Sequence, residues 1–228
     1  MSIINGHTCI IMSAIEQIRK AVSQDVFDYT QLMHALNNYS KPRDVVTLLI
    51  RKGRLMRIRK GLYIFGEGWR KKEISREMLA NLIYGPSVVS LEYALSWHGL
   101  IPERVYTITS VASGRSRIFE TPLGRYTYRQ QSPERLSYGA SLQNNPSGNW
   151  LLATPLKALA DKVWADKSFK PSSPSSFSYY LFDDLRIDEN DLARYCDFNS
   201  LNELTKVYSM RKITWLTNFL LAKYSLSE

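Results

Sequence analysis

The chain has 228 residues, 44% hydrophobic and 22% charged, which is ordinary for a globular protein of one large domain or two small ones. Its two cysteines, Cys9 and Cys196, form no CxxC pair and no disulfide framework, which favours a reducing compartment. There is no signal peptide pattern and no apolar run near the roughly 20 residues of a membrane helix, so we expect a cytoplasmic protein without a membrane partner.

The net charge of +9 is confined to one segment of the chain. Between Lys41 and Lys72 there are eleven basic residues against two acidic ones, whereas the rest of the chain has 19 of each. Most charge runs are only solvated surface, but this sharp localisation favours a polyanion as partner.

Three short helices are predicted in the N-terminal part. The first covers Ser13–Ser23, where apolar residues keep helical spacing, and the second is capped by Thr30. The third runs from about Lys41 to Lys52, with Ser40 as N-cap and Gly53 just beyond its end.

A basic two-stranded ribbon is predicted to follow these helices. The segment Arg54–Phe65 contains β-forming residues on both sides of a Lys60-Gly61 turn. Three helices and a basic ribbon in this order are typical of a winged helix-turn-helix, which we expect for residues 1–72.

DNA contacts are expected from the third helix and the ribbon. The start of a recognition helix reaches base edges in the major groove, and a basic wing suits phosphates or a narrow minor groove. The candidate DNA-binding residues are Ser40, Lys41, Arg43, Asp44, Thr47, Arg51, Arg54, Arg57, Arg59 and Lys60.

Residues 73–228 are predicted to form a second, mixed α+β domain, so the fold class is α+β. Helices are expected near Glu73–Tyr84 and Ser90–Gly99, and a further helix after Thr154. Between them, strands at 105–111, 117–121 and 124–130 predict a small antiparallel sheet, and two or three helices are expected from Asp188 to Tyr224.

Three sequence blocks in this order resemble the AbiEi family of antitoxins and transcriptional regulators. They are Arg51-Lys-Gly-Arg-Leu-Met-Arg-Ile-Arg-Lys-Gly-Leu-Tyr63, Val89-Ser-Leu-Glu-Tyr-Ala-Leu-Ser-Trp-His-Gly-Leu-Ile101 and Leu152-Ala-Thr-Pro-Leu-Lys-Ala-Leu-Ala-Asp161. The resemblance covers about residues 25–165. Leu156 departs from it, because relatives often carry Glu at this position.

The resemblance implies a repressor of its own operon that binds double-stranded operator DNA, in the form of inverted repeats, through its winged helix. It also implies a second domain that counters a nucleotidyltransferase toxin of a type IV toxin–antitoxin system, without a stable complex between the two. No enzymatic activity and no cofactor or metal is expected.

Two other functions stay open at the level of sequence. One is a nucleic-acid-targeted nuclease or nucleotidyltransferase using the carboxylates Asp183 and Asp184, although the neighbouring Asp188 is more typical of a helix N-cap. The other is a protein-binding adaptor with an acidic partner. Lys157 and Asp161 are interpreted as an ion pair on a helix surface, with a functional pair as the alternative.

Overall fold

The computed structural model describes residues 3–224, with side chains from residue 11 onward. These residues form an α+β fold with eleven α-helices and nine strands in two sheets. The chain divides into two compact units, one comprising the residues up to Ser75 with Glu120–Leu123, the other Arg76–Phe119 and the residues from Gly124.

The helices are α1 (Ile3–Ala21), α2 (Tyr29–Ala35), α3 (Pro42–Arg51), α4 (Arg76–Ile83), α5 (Leu91–Trp97), α6 (Pro133–Ser137), α7 (Pro155–Ala165), α8 (Ser176–Tyr179), α9 (Glu189–Ala193), α10 (Phe198–Tyr208) and α11 (Arg211–Tyr224). The strands are β1 (Val26–Asp28), β2 (Leu55–Arg59), β3 (Leu62–Phe65), β4 (Ser87–Val89), β5 (Ile108–Ala112), β6 (Arg117–Thr121), β7 (Gly124–Gln130), β8 (Ala140–Asn145) and β9 (Gly148–Ala153).

The first unit contains a three-stranded antiparallel sheet with the strand order β1-β3-β2. Its core combines one face of each of the helices α1, α2 and α3 with the apolar side chains of the sheet. The buried residues of this core include Ile15, Ile18, Phe27, Leu32, Leu49 and Phe65. The predicted helices and ribbon are present, but β1 was not predicted from the sequence.

A partly buried ion pair joins the end of α1 to the segment before β1. The Arg19 guanidinium donates to Asp25 Oδ1 at 2.5 Å, and to the carbonyl oxygens of Val22 and Gln24. Asp25 Oδ2 accepts from the backbone amides of Lys71 and Lys72, both at 3.0 Å. Arg19 and Asp25 together bond to these four backbone groups and thereby connect the end of α1 to the segment that follows the hairpin.

The sheet of the second unit has six strands in the order β6-β7-β5-β4-β9-β8 and is mixed. Strands β5 and β7 are parallel, with Thr109 opposite Thr127, and β4 is parallel to β9. The prediction of a small antiparallel sheet here was therefore wrong. Turn residues identify local hairpins such as β8–β9, whereas β4 becomes a strand because β5 and the distant β9 offer it backbone partners.

Lys157 and Asp161 form an ion pair of 3.1 Å on α7, but both side chains have 0% exposure. The interpretation as a surface pair was therefore wrong. Asp161 also accepts hydrogen bonds from Ser90 Oγ at 2.6 Å, Gln131 Nε2 at 3.2 Å and the Tyr208 hydroxyl, while Lys157 Nζ donates to the Arg135 carbonyl oxygen at 2.6 Å. Burial and the nearby Asp161 charge raise the pKa of Tyr208, which keeps this hydroxyl a donor.

Replacing Asp25 should loosen the first unit. Asp25→Ala removes the partner of Arg19 and leaves two backbone amides without an acceptor, at a cost of about 2–3 kcal/mol. Hydrogen exchange of the β1 and β3 amides, measured by mass spectrometry, should accelerate accordingly. Asp44→Ala is the matched control, because Asp44 is exposed. Equal exchange in both variants would contradict the structural role of Asp25.

Removing one partner of the buried Lys157–Asp161 ion pair should strongly destabilise the second unit. Asp161→Leu leaves the Lys157 ammonium buried without its partner, which costs about 3–5 kcal/mol. The double variant Lys157→Met/Asp161→Leu should recover part of this loss, and exposed Asp183→Ala should change little. Calorimetric unfolding measures all three. A double variant that is no more stable than Asp161→Leu would contradict the coupling of the two charges.

Candidate nucleic-acid interface

Helix α3 is amphipathic and presents most of the predicted DNA-binding residues. Val46 and Leu49 are buried in the core of the first unit. The predicted residues of its polar side are all exposed, namely Ser40, Lys41, Arg43, Asp44, Thr47 and Arg51. Because apolar side chains recur every three to four residues, burying them leaves the charged residues of α3 on the solvent side.

The start of α3 differs from the prediction. The N-cap is Lys41, not Ser40, Pro42 is the first helical residue, and no side chain caps the helix. Pro42 has no N–H, so the backbone amide of Arg43 is the first that is left for solvent or a ligand. An uncapped helix start that carries Lys41 and Arg43 is chemically suited to a phosphate group.

Helix α2 places a tyrosine beside the start of α3. Asp28, not Thr30 as predicted, is its N-cap, in a capping box in which the Asp28 side chain and Gln31 bond to each other's backbone amides. Tyr29 follows directly, and its hydroxyl accepts from Arg43 Nε at 3.0 Å. Tyr29 was missed from the sequence, because no pattern links two residues fourteen positions apart.

The β2–β3 hairpin carries the other predicted residues. Arg57, Arg59 and Lys60 are exposed, while Arg54 is half-buried. The pairing shifts by one residue between Arg57 and Arg59, and Gly61 has a φ of +86°, which glycine adopts without strain. The irregular register places three basic residues next to a tight turn.

The positive charges of this surface are not neutralised by neighbouring carboxylates. Between residues 3 and 224, no acidic side chain forms an ion pair with any of the seven basic candidates. These are Lys41, Arg43, Arg51, Arg54, Arg57, Arg59 and Lys60. Other basic residues of the same segment serve the fold instead: Arg70 Nε donates to the Phe65 carbonyl oxygen at 2.8 Å, and Lys71 Nζ to that of Ser23 at 3.2 Å.

Some contacts restrict what these side chains offer to a ligand. The Thr47 hydroxyl donates to the Arg43 carbonyl oxygen at 3.0 Å, so it has acceptor capacity and a methyl group left. One Arg59 terminal nitrogen donates to the Lys60 carbonyl oxygen at 3.1 Å. Arg43 uses Nε on Tyr29 and keeps both terminal amino groups for a ligand.

The acidic residues of the alternative enzyme site are not assembled into a metal centre. Asp183 and Asp184 are exposed at the end of a single π-helical turn, Tyr180–Asp184. Asp188 caps α9 by accepting from the amides of Asn190 and Asp191, as predicted. Within the described part of the chain, no three His, Cys, Asp or Glu side chains are grouped so that they could hold a metal ion.

Comparisons with known proteins do not assign the chain to a family. No protein-family model matches it, and no curated protein is significantly similar to it. The helices of residues 3–224 include none whose length and apolar character would allow it to cross a bilayer.

Proposed function

We propose that the first unit is a winged helix that binds double-stranded DNA. In this proposal α2, the turn after it and α3 form the helix-turn-helix, α3 is the recognition helix, and the β2–β3 hairpin is the wing. The observation that carries the proposal is the set of seven basic side chains on α3 and the hairpin without a carboxylate partner among the described residues.

Each element has a defined role in the proposed complex. The start of α3 enters the major groove, where the terminal amino groups of Arg43 suit guanine O6 and N7, and the Thr47 methyl group suits thymine. Lys41 and the Arg43 amide bind a phosphate at the groove edge. Arg57, Arg59 and Lys60 hold the backbone or the minor groove on the flank.

We further propose that the protein is a cytoplasmic repressor of its own promoter and an antitoxin against a nucleotidyltransferase toxin, acting without a stable complex with it and without enzymatic activity of its own. The support for this finer assignment is the resemblance of three sequence blocks to the AbiEi family. Block one lies on the end of α3 and on the hairpin, block two on α5, and block three at the start of α7.

The DNA proposal is tested by fluorescence anisotropy with the DNA upstream of the protein's own gene and with a scrambled duplex of equal length. A salt series separates phosphate contacts from base readout, because each neutralised phosphate adds about 0.9 to the salt slope. Tighter binding to the upstream duplex with a steep slope supports the proposal. Weak binding to both duplexes would rule out DNA as the partner.

The wing residues should supply much of the electrostatic affinity. We expect Arg57→Ala/Arg59→Ala/Lys60→Ala to weaken binding to both duplexes and to reduce the salt slope by up to about 3, because each of the three side chains can neutralise one phosphate. Arg115→Ala/Arg117→Ala, on exposed residues of the second unit, is the control. A slope that does not change in the wing variant would show that other residues bind the phosphates.

Tyr29 should act by positioning Arg43. Tyr29→Phe removes the acceptor of Arg43 Nε but keeps the ring, so we expect a loss of affinity of about three- to tenfold for the upstream duplex. The loss for scrambled DNA should be smaller, because orientation matters most for base readout. Equal losses on both duplexes would show that Arg43 contacts only the backbone.

A further inference from the structure

The second unit contains a polar cleft of about 680 Å³. Its floor is formed by β5 and β7, and its wall by the start of α5, the C-terminal end of α7 and the residues that follow α7. The volume is within the range of about 300–1,000 Å³ that is usual for small-molecule sites.

The floor is polar because the side chains of β7 alternate between the two faces of the sheet. Tyr126 and Tyr128 are buried on one face of the sheet, so Arg125, Thr127 and Arg129 lie on the other. On this face, the backbone positions of alternate residues are about 7 Å apart, so the three side chains leave the strand in a row at the cleft. The adjacent strand β5 contributes Thr109, and Thr107 precedes it.

The wall contains the two carboxylates of the cleft, and both have partners. Lys162 Nζ lies 2.9 Å from Glu92 Oε1 and 3.4 Å from Asp166 Oδ2. Asp166 also accepts from the Tyr180 hydroxyl at 3.0 Å and from the Ser168 amide at 3.0 Å. Burial alone would lower the pKa of Lys162, but the two carboxylates outweigh it and raise this pKa.

The balance of charge in the cleft is therefore positive. The cleft is lined by four basic residues and two acidic ones, which gives a formal charge of +2. They are Arg125, Arg129, Lys162 and Lys167, and Glu92 and Asp166. Among the described residues, neither Arg129 nor Lys167 has an ion-pair partner, and no hydrogen bond occupies the hydroxyl groups of Thr107 and Thr127. A set of basic side chains and open hydroxyl groups matches an oxyanion with several acceptor oxygens.

We propose that this cleft binds a nucleoside polyphosphate, with the phosphates on Arg129, Lys167 and the hydroxyls of Thr107 and Thr127. A run of phosphates has enough acceptor oxygens for Thr127 and Arg129, on one face of β7, and for Lys167, whereas a single carboxylate has only two. Val105, which is half-buried at the same cleft, supplies apolar surface for a base. The proposal is independent of DNA binding by the first unit.

The test is isothermal titration of the full chain, at constant ionic strength and without divalent cations, with ATP, with inorganic tripolyphosphate and with adenosine. We expect ATP to bind and adenosine not to bind. Weaker binding of tripolyphosphate than of ATP would show that the base contributes, and would support the proposal. Binding of tripolyphosphate as tight as that of ATP would show that only the phosphates are recognised, and would overturn the assignment of a nucleoside polyphosphate as the ligand.

Substitutions of cleft residues test whether ATP binds in the cleft. Arg129→Gln and Lys167→Gln should each weaken ATP binding about tenfold, since each removes a charged hydrogen-bond donor. Lys206→Gln, an exposed lysine on α10, is the matched control, and the triple wing variant should bind ATP as the wild type does. No heat of binding at millimolar ATP, or binding that survives both cleft substitutions, would overturn the proposal. Thermal melting confirms that the variants are folded.

Discussion

The second unit is organised around one buried carboxylate, that of Asp161. A charge without solvent is tolerated only when donors surround it, and here the donors come from distant parts of the chain. Ser90 precedes α5, Gln131 follows β7, Lys157 lies one turn earlier on α7, and Tyr208 ends α10. These contacts fix α7 relative to the sheet and thereby place Lys162 and Asp166, further along α7, at the wall of the cleft.

In the first unit, the ion pair of Arg19 and Asp25 has a comparable role, because it bonds to backbone groups after α1 and to others after the hairpin. The fold thus uses a few charges internally and leaves those of α3 and the hairpin unpaired within the described residues. Unpaired basic side chains on a surface repel each other, which makes their close spacing unfavourable. Binding of a polyanion offsets this repulsion, because its negative charges lie close to the basic side chains. The proposed DNA surface and the proposed cleft differ in this respect. The basic side chains of the first form no ion pair with a carboxylate among the described residues, whereas Lys162 of the second is paired with Glu92 and Asp166.

Several features could be predicted because they depend on neighbours along the chain. The helical spacing of Val46 and Leu49, the turn at Gly61 and the cap at Asp188 are local, and each appears in the structure as expected. One local feature was missed. Thr30 was predicted as the N-cap of α2, whereas Asp28 takes that position, and the spacing of Asp28 and Gln31 is the sequence signature of a capping box. Other features could not be predicted, such as the pairing of Val26–Asp28 with β3, because the two segments are far apart in the chain.

The sequence by itself determined the α+β class, most helix and strand positions, and the confinement of the net charge to residues 41–72. Only the tertiary structure decided that β5 and β7 are parallel, that Lys157 and Asp161 are buried, and that Arg129 lies in a cleft with Lys167. The physical reason is the range of the interactions. Periodicity and turn preference act over a few residues, whereas burial and strand pairing depend on segments that are far apart in the chain.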